Sequence, residues 1–399
     1  MDTELFVFAA ASLFLFAVVS KRLEPTPLSG PMLFAAAGVL GHVTGFVDPI
    51  EVVESPIVAI LELTLALVLF TDAMNVHVAS WEADAKIPTR MLLLGMPLTL
   101  IAGTVAAVIV FPSLGLVPAA IIATILAPTD AALGQAVVTN ERVPVRIREA
   151  VGIESGLNDG IALPIILFLI ALAGSEAGEP LWSLFAKGVG VGAAVGIGIG
   201  LGTGFAVRVA VGRAWMGSAW VQIAVAVVAF GTFLATDHLG GSGFIGAYVA
   251  GHAFGRVVGA IDEDAGEFGE RLGTALSMLS FLVFGAYILG PHPDVFSLST
   301  VGYAVLSLTV VRMVPVAMSL YGAGVKPPTI AFLGWFGPRG LASIIFTGVV
   351  VEEAGVAGSE LIIAAMIVTV SLSIVAHGAS APWAAERYGD WYGTSRLDG

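Results

Sequence analysis

The sequence predicts an all-α polytopic membrane protein with about thirteen transmembrane helices in two inverted six-helix repeats. Three observations predict it: an apolar composition with long apolar stretches, the placement of basic residues between these stretches, and two interrupted helices, the fifth and the twelfth, seven helices apart. Of the 399 residues, 57% are hydrophobic and only 12% are charged, whereas a soluble domain carries about 25% charged residues. No low-complexity or long polar segment marks off a soluble domain. Residues 1–399 are therefore predicted to form a single membrane domain.

Long apolar stretches recur along the whole chain. A helix that crosses the hydrocarbon core of a bilayer needs roughly 20 mostly apolar residues. Stretches of this kind lie near residues 4–21, 28–47, 55–76, 90–111, 115–138, 148–173, 181–207, 217–236, 240–256, 268–289, 297–320, 329–352 and 359–384. We expect each of them to form a transmembrane helix.

The basic residues predict how these helices are oriented. If the N-terminus lies outside, 14 of the 17 Lys and Arg residues fall in inner loops or the C-terminal tail, and none falls in an outer loop. The other three, Lys187, Arg312 and Arg339, lie within predicted helices. Because basic loops stay on the cytoplasmic side, this split predicts a multi-pass protein of the cell membrane. Its N-terminus would be outside and its C-terminus cytoplasmic.

Two predicted helices are interrupted by proline. The fifth contains Pro128 and the twelfth contains Pro338. Proline removes a backbone donor, and the freed backbone groups are tolerated in a membrane only where protein or water satisfies them. Paired interrupted helices point to a transport site. Their offset of seven helices predicts inverted repeats: helices 1–6 in residues 1–173, helix 7 in 181–207 as a link, and helices 8–13 in 217–384.

The seventh helix carries a stripe of glycines. They are Gly188, Gly192, Gly196, Gly200 and Gly204, one at every fourth residue. Such spacing puts a smooth groove on one helix face and favours close helix packing. We favour ordinary packing within the bundle over a gate or a dimer contact.

Ionisable residues inside the predicted helices indicate the kind of transport. An ionised side chain at the centre of a membrane costs about 2.5–3.5 kcal/mol, so it needs a partner or a function. The chain holds five acids and two bases there: Glu62, Asp72, Asp130, Glu154, Asp159, Arg312 and Arg339. Ion pairs cannot neutralise all five acids. Protons or bound cations must therefore neutralise the rest, which predicts exchange of a small monovalent cation for protons.

The densest polar cluster lies in the sixth helix, between Glu154 and Gly160. Residues four apart are neighbours on a helix, so Ser155 and Asp159 share a face. Hard cations prefer oxygen ligands, and the interrupted fifth helix adds Thr129 and Asp130. Removal from water favours the protonated form of a carboxylate. Asp159 is therefore predicted to hold either a proton or a cation.

Four segments in this order resemble the NhaP-type sodium/proton antiporters of the cation/proton antiporter family. They are Pro128–Asp130 (PTD), Glu154–Gly160 (ESGLNDG), Gly243–Gly251 (GFIGAYVAG) and Gly334–Ser343 (GWFGPRGLAS). The resemblance covers essentially the whole chain. It implies a 13-helix fold, a homodimer, and a six-helix core bundle that moves against a dimerisation domain.

The resemblance also implies roles for individual residues. Asp159 would bind the cation and the proton, and Thr129, Asp130 and Ser155 would complete the ion site. Glu154 and Arg339 would form a buried ion pair, with Asn158 bonded nearby. The Asn158–Asp159 pair resembles the electroneutral branch of the family, which exchanges one cation for one proton.

Asp72 aligns with an acidic residue that helps to bind the ion in relatives. Many relatives have Glu-Gly after the preceding Phe, whereas here Phe70 is followed by Thr71, Asp72 and Ala73. A direct contact between Asp72 and the ion therefore stays open. Asp72 would otherwise act through water or line the inner funnel.

Several alternatives compete with sodium/proton exchange. A K⁺/H⁺ antiporter would use the same residues, and a sodium-coupled symporter of organic anions would use a similar scaffold with a roomier crevice. Asp130 and Asp159 could in principle form the dyad of an intramembrane protease, but the Gly-x-Gly-Asp pattern of those enzymes is absent. We therefore predict a transporter of Na⁺ or Li⁺ and not an enzyme.

The remaining expectations concern partners and minor sites. No cofactor is expected, since the dinucleotide-like pattern at Gly241–Gly246 opens a membrane helix and follows no βαβ unit. The net charge of −13 argues against nucleic acid, and membrane lipid is an expected partner. The roles of Glu62, Arg312 and His77 stay open; for Arg312 we favour a structural or lipid-binding role, and for His77 a solvated loop position over pH sensing.

Overall fold

A computed structural model describes residues 3–23, 26–47, 56–75, 86–130, 133–173, 181–259, 264–352, 356 and 358–397. Within these ranges all regular structure is helical. The first part of the chain forms α1 (Thr3–Leu23), α2 (Gly30–Val43), α3 (Pro56–Asn75), α4 (Lys86–Val110), α5a (Leu116–Ile125), α5b (Gln135–Val138), α6 (Val145–Ala173) and α7 (Leu181–Gly212). The rest forms α8 (Ser218–His238), α9 (Gly243–Val258), α10 (Glu267–Leu289), α11 (Leu298–Leu320), α12a (Pro327–Trp335), α12b (Leu341–Glu352) and α13 (Ser359–Leu397).

A helix lies at each of the thirteen predicted positions, which confirms the predicted fold class. Nine helices in the described ranges are long and apolar enough to cross a membrane. The clearest difference is α13, which was expected to end at residue 384 but continues to Leu397. At 1.5 Å per residue its 39 residues extend roughly 58 Å, well beyond a hydrocarbon core of about 30 Å. The polar end of α13 thus continues outside the apolar layer.

Both predicted interruptions are present. The first part of the fifth helix ends at Ile125 and the second begins at Gln135, while the twelfth helix stops at Trp335 and resumes at Leu341. Pro128 and Pro338 lie in these gaps. Proline cannot donate a backbone hydrogen bond, so the helical ladder cannot run through either position.

Helix contacts group the described residues into two compact units. The first comprises Met1–Pro56, Asp84–Asn158 and Ser277–Gly399, and we call it the broken-helix unit because it holds α5 and α12. Its core includes a stack of Phe332 on Tyr388, with ring centroids 4.2 Å apart. This stack attaches α12a to α13.

The second unit comprises Ile57–Ala83 and Asp159–Leu276, and we call it the glycine-stripe unit because it holds α7. A Cβ atom at Gly196 would lie 2.6 Å from the carbonyl oxygen of Gly246, and one at Gly200 would lie 2.5 Å from that of Ala250. Only glycine permits such an approach of α7 to α9. The stripe therefore packs the bundle, as the favoured interpretation predicted.

Candidate ion site at the interrupted helices

The two helix interruptions meet in the broken-helix unit. The backbone N–H of Asp130 donates to the carbonyl of Pro338 at 2.8 Å. The Asp130 carboxylate accepts from the N–H of Leu341 at 2.6 Å and from that of Leu133 at 3.2 Å. Leu341 is the first residue of α12b, where exposed N–H groups carry partial positive charge. Asp130 therefore caps α12b.

This cap depends on a glycine. A Cβ atom at Gly340 would lie 2.1 Å from Oδ2 of Asp130. Any side chain at this position would displace the carboxylate from the N–H of Leu341.

A reciprocal arrangement stabilises the end of α5a. The Arg339 guanidinium donates to the carbonyl of Ala127 and, at 2.9 Å, to that of Pro128. The Ser343 hydroxyl donates to the carbonyl of Ile125 at 2.8 Å. A cation is favourable at the C-terminal end of a helix, where carbonyls lack partners. Each interrupted helix thus supplies the charge that the other interruption needs.

Glu154 pairs with Arg312, so the predicted pair of Glu154 with Arg339 is wrong. Arg312 on α11 donates from Nη1 to Oε1 at 2.5 Å and from Nη2 to Oε2 at 2.7 Å. Both side chains are buried. A planar guanidinium and a carboxylate match each other in this two-bond geometry. The Arg339 guanidinium instead serves the carbonyls after α5a. The sequence left the partner of Arg312 open and favoured a structural or lipid-binding role for it.

Side chains of α6 hold the interruption of α5. The Ser155 hydroxyl donates to the Thr129 carbonyl at 2.6 Å, and the Asn158 amide donates to the Thr129 hydroxyl at 2.7 Å. All three residues are buried. The Oδ1 atom of Asn158 is buried and has no hydrogen-bond partner among the described residues. The interruption and α6 together provide a buried group of carbonyl, hydroxyl and amide oxygens, the donor set that a hard cation prefers.

Asp159 is the next residue of α6 and is only 5% exposed. It lies one turn after Ser155 on the same helix. In the contact grouping Asp159 falls in the glycine-stripe unit, together with Asp72 on α3. The Asn158–Asp159 peptide therefore links the group around Thr129 to Asp159 through a continuous helix.

Tyr248 on α9 is a further residue beside Asp159 that the sequence did not single out. Its ring packs so close to Gly160 that a Cβ atom there would lie 2.4 Å from the ring. Tyr248 interacts electrostatically with both Asp72 and Asp159. Its position within the motif Gly243–Gly251 was the available signal. Tyr248 thus belongs to the electrostatic surroundings of the two carboxylates.

Two residues of α13 also escaped the sequence reasoning. The Ser373 hydroxyl accepts from the backbone N–H of Arg339 at 2.6 Å, and Nδ1 of His377 lies 3.1 Å from that hydroxyl. Nε2 of His377 lies 3.0 Å from the carbonyl of Trp335. Nδ1 also lies 3.1 Å from the carbonyl of Ser373. Together Ser373 and His377 hold the two sides of the α12 interruption.

Three further residues were considered in the sequence analysis. Glu62 and Asp72 are half-buried on α3. His77 lies outside the described residues.

Comparison with known proteins agrees with this architecture. Residues 9–387 match a family model described as sodium/hydrogen exchanger, transmembrane. The Na(+)/H(+) antiporter NhaS2 of Synechocystis sp. is 26% identical in an alignment of 351 residues that covers 82% of this chain and 61% of that protein. This chain thus spans about three fifths of the length of that relative.

Solved structures show the same fold. The sodium proton antiporter MjNhaP1 from Methanocaldococcus jannaschii at pH 8 matches with a TM-score of 0.76 and 17% identity, covering 96% of this chain and 98% of its own. A structure of MjNhaP1 from an electron-microscopy map has the same score and identity and covers 97% of this chain. These matches confirm the predicted all-α antiporter fold. Because the family model matches almost the whole chain, the protein belongs to the sodium/hydrogen exchanger family.

Proposed function

We propose that the protein exchanges Na⁺ or Li⁺ for H⁺ across the cell membrane by alternating access. The observation that carries this proposal is the burial of Asp159 on α6, one residue after Asn158 and one turn after Ser155. Those two side chains bind the interrupted α5 segment. Family membership and the named activities of NhaS2 and MjNhaP1 support the same function.

Competition for one carboxylate explains how exchange is coupled. Charge in the membrane interior is costly. The site around Asp159 therefore switches readily between the two sides of the membrane only when a proton or a cation neutralises the carboxylate. Thr129, Asp130 and Ser155 supply the further oxygen ligands in this proposal. Asp72 and Tyr248 lie in the same unit as Asp159. Asn158 does not titrate, so one carboxylate exchanges one cation for one proton. Transport is then electroneutral.

The roles of the charged neighbours differ from that of Asp159. Glu154 is held by Arg312 in a two-bond ion pair, which supports a structural role. Asp130 accepts two backbone N–H bonds, so we propose that it positions the interruption in addition to supplying an oxygen ligand. Arg339 donates to the carbonyls of Ala127 and Pro128, after the end of α5a, and we propose a structural role for it too.

The proposal extends to topology and assembly. The distribution of basic residues supports an outer N-terminus and a cytoplasmic C-terminus. The paired interruptions support two inverted repeats, in residues 1–173 and 217–384, linked by the helix over 181–207. We also propose a homodimer, in keeping with the resemblance to NhaP-type antiporters.

Proteoliposomes provide the direct test. A gradient of Na⁺ or Li⁺ should collapse a preset pH gradient at a rate that does not depend on a clamped membrane potential. Asp159→Asn should abolish this movement, whereas Asp237→Asn, which removes an exposed acid at the end of α8, should leave it unchanged. A parallel K⁺ series distinguishes the K⁺/H⁺ alternative. Full exchange by Asp159→Asn, or Na⁺ uptake that requires an organic anion and moves no protons, would reject the proposal.

The pH dependence gives an independent check on competition. Protons and Na⁺ that compete for one carboxylate are linked by mass action. In the acidic range the apparent KM for Na⁺ should therefore rise by about tenfold for each unit by which the pH falls, while the maximal rate changes much less. A KM that does not change with pH would mean that the two ions occupy separate groups.

A further inference from the structure

A cavity with two basic residues in its lining lies in the broken-helix unit, away from the helix interruptions. It has a volume of about 160 Å³ and is lined by residues at the start of α6, before α12a and near the end of α13. One water molecule takes up about 30 Å³ of liquid, so the cavity has room for a small polyatomic group.

The charge of the lining indicates an anion. Arg146 and Lys326 line the cavity, and no acidic residue does so among the described residues, although the chain as a whole has a net charge of −13. A guanidinium binds phosphate oxygens in a two-bond geometry, and an ammonium adds a compact charge. The pair therefore suits a phosphate group.

The backbone at the start of α12a adds little to such a site. The first two residues, Pro327 and Pro328, have no N–H group, and the N–H of Thr329 already donates to the carbonyl of Lys326 at 3.0 Å. The side chains of Arg146 and Lys326 would therefore hold the anion.

The depth of the cavity indicates where the phosphate comes from. Trp391 and Tyr392 line it, in the part of α13 that follows the apolar span. Two turns earlier on α13, Trp383 is 64% exposed, and the guanidinium of Arg387 lies 5.7 Å from the centre of its ring. Trp, Tyr and Arg of this kind mark the boundary between hydrocarbon and headgroups. The cavity thus lies at or just beyond headgroup depth.

We propose that this cavity binds a phosphate group at the membrane surface, supplied by an anionic phospholipid, with Arg146 and Lys326 as its anchors. Next to the cavity the hydroxyls of Thr329 and Tyr388 are hydrogen-bonded at 2.9 Å. A headgroup held by both anchors bridges the start of α6, where Arg146 lies, and the start of α12a, which follows Lys326. Binding therefore stabilises the attachment of the first half of the broken twelfth helix.

Thermal unfolding of the purified full chain in a neutral detergent tests this site. Phosphatidylglycerol should raise the melting temperature more than phosphatidylcholine does. One basic residue contributes about fivefold in affinity at an anionic membrane surface. Arg146→Gln and Lys326→Gln should thus each raise the phosphatidylglycerol concentration for a half-maximal shift by about fivefold, and the double variant by about 25-fold.

The control removes the same charge elsewhere. Lys21→Gln/Arg22→Gln neutralises two exposed basic residues at the end of α1 and should leave the lipid response unchanged. Inorganic phosphate alone is added in a third arm. A shift with phosphate that is lost in Arg146→Gln, without a preference for phosphatidylglycerol, would keep the phosphate site but assign it to a soluble ligand. An equal lipid response in all variants, or an equal loss in the control, would overturn the proposal.

Discussion

The broken-helix unit and the glycine-stripe unit solve opposite packing problems. In the first, two interrupted helices expose backbone groups, and side chains complete them: Asp130 caps α12b, and Arg339 binds the carbonyls after α5a. In the second, α7 and α9 are continuous helices that approach through glycines with no side chain between them. Charged side chains thus compensate the unpaired backbone groups at the interruptions, whereas α7 and α9 pack closely because glycines leave no side chains between them.

The comparison predicts how each region responds to mutation. Deleting a side chain should damage the broken-helix unit, because a buried partner loses its compensation. Adding a side chain should damage the glycine stripe, because the helices must separate.

The largest effect is expected at the Glu154–Arg312 pair. Glu154→Gln or Arg312→Gln leaves one buried charge uncompensated and should cost about 3–5 kcal/mol of stability. Melting temperature and the yield of folded protein measure this loss. The double variant Glu154→Gln/Arg312→Gln should recover a large part of it, since no unpaired charge is left.

A second double variant discriminates between the two arginines. Glu154→Gln/Arg339→Gln should show no such recovery, because Arg339 binds carbonyls and not Glu154. Recovery in this variant, and none with Arg312, would instead restore the pairing predicted from the sequence.

The next effect is expected where the interruptions meet. Gly340→Ala places a methyl group on the Asp130 carboxylate and should cost about 2–3 kcal/mol. Transport should fall as well, because the cap of α12b moves. Gly348→Ala is the matched control on the same half-helix, since its Cβ would enter open space. Equal melting of the two variants would argue against the close approach.

A smaller effect is expected in the glycine stripe. Gly200→Ala brings a methyl group 2.5 Å from the carbonyl oxygen of Ala250 and should cost about 1–2 kcal/mol. Gly198→Ala on the same helix meets open space and should be neutral or stabilising by up to about 1 kcal/mol. Transport should follow stability in both variants. Loss of transport at unchanged stability in Gly200→Ala would favour the gate interpretation.

The smallest change in stability is expected for Tyr248→Phe, which sharpens the contrast between the units. The ring that packs on Gly160 is kept, so stability should change by less than about 1 kcal/mol. The hydroxyl that interacts with Asp72 and Asp159 is lost. We expect the apparent KM for Na⁺ to change several-fold with a similar maximal rate. If the KM of Tyr248→Phe equals that of the unsubstituted protein at every pH, Tyr248 serves only in packing.

Most of the architecture could be predicted from local sequence. The helices follow from runs of apolar residues, because a membrane requires each segment to satisfy its own backbone. Pro128 and Pro338 interrupt their helices through a covalent property of the residue. The polar cluster from Thr129 to Asp159 was identified because carboxylates and hydroxyls are costly in such segments. The end of α13 was misjudged, because hydrophobicity reports where the apolar layer stops and not where the helix does.

Local sequence was enough to predict the fold class and the two interruptions. The partner of Glu154 could not be predicted in this way, since Arg312 lies 158 residues away along the chain and Arg339 was equally available by charge. The contacts of Tyr248, Ser373 and His377 also became visible only in the folded chain. Hydrophobicity and proline act within one segment, whereas a hydrogen bond depends on where distant segments place their atoms.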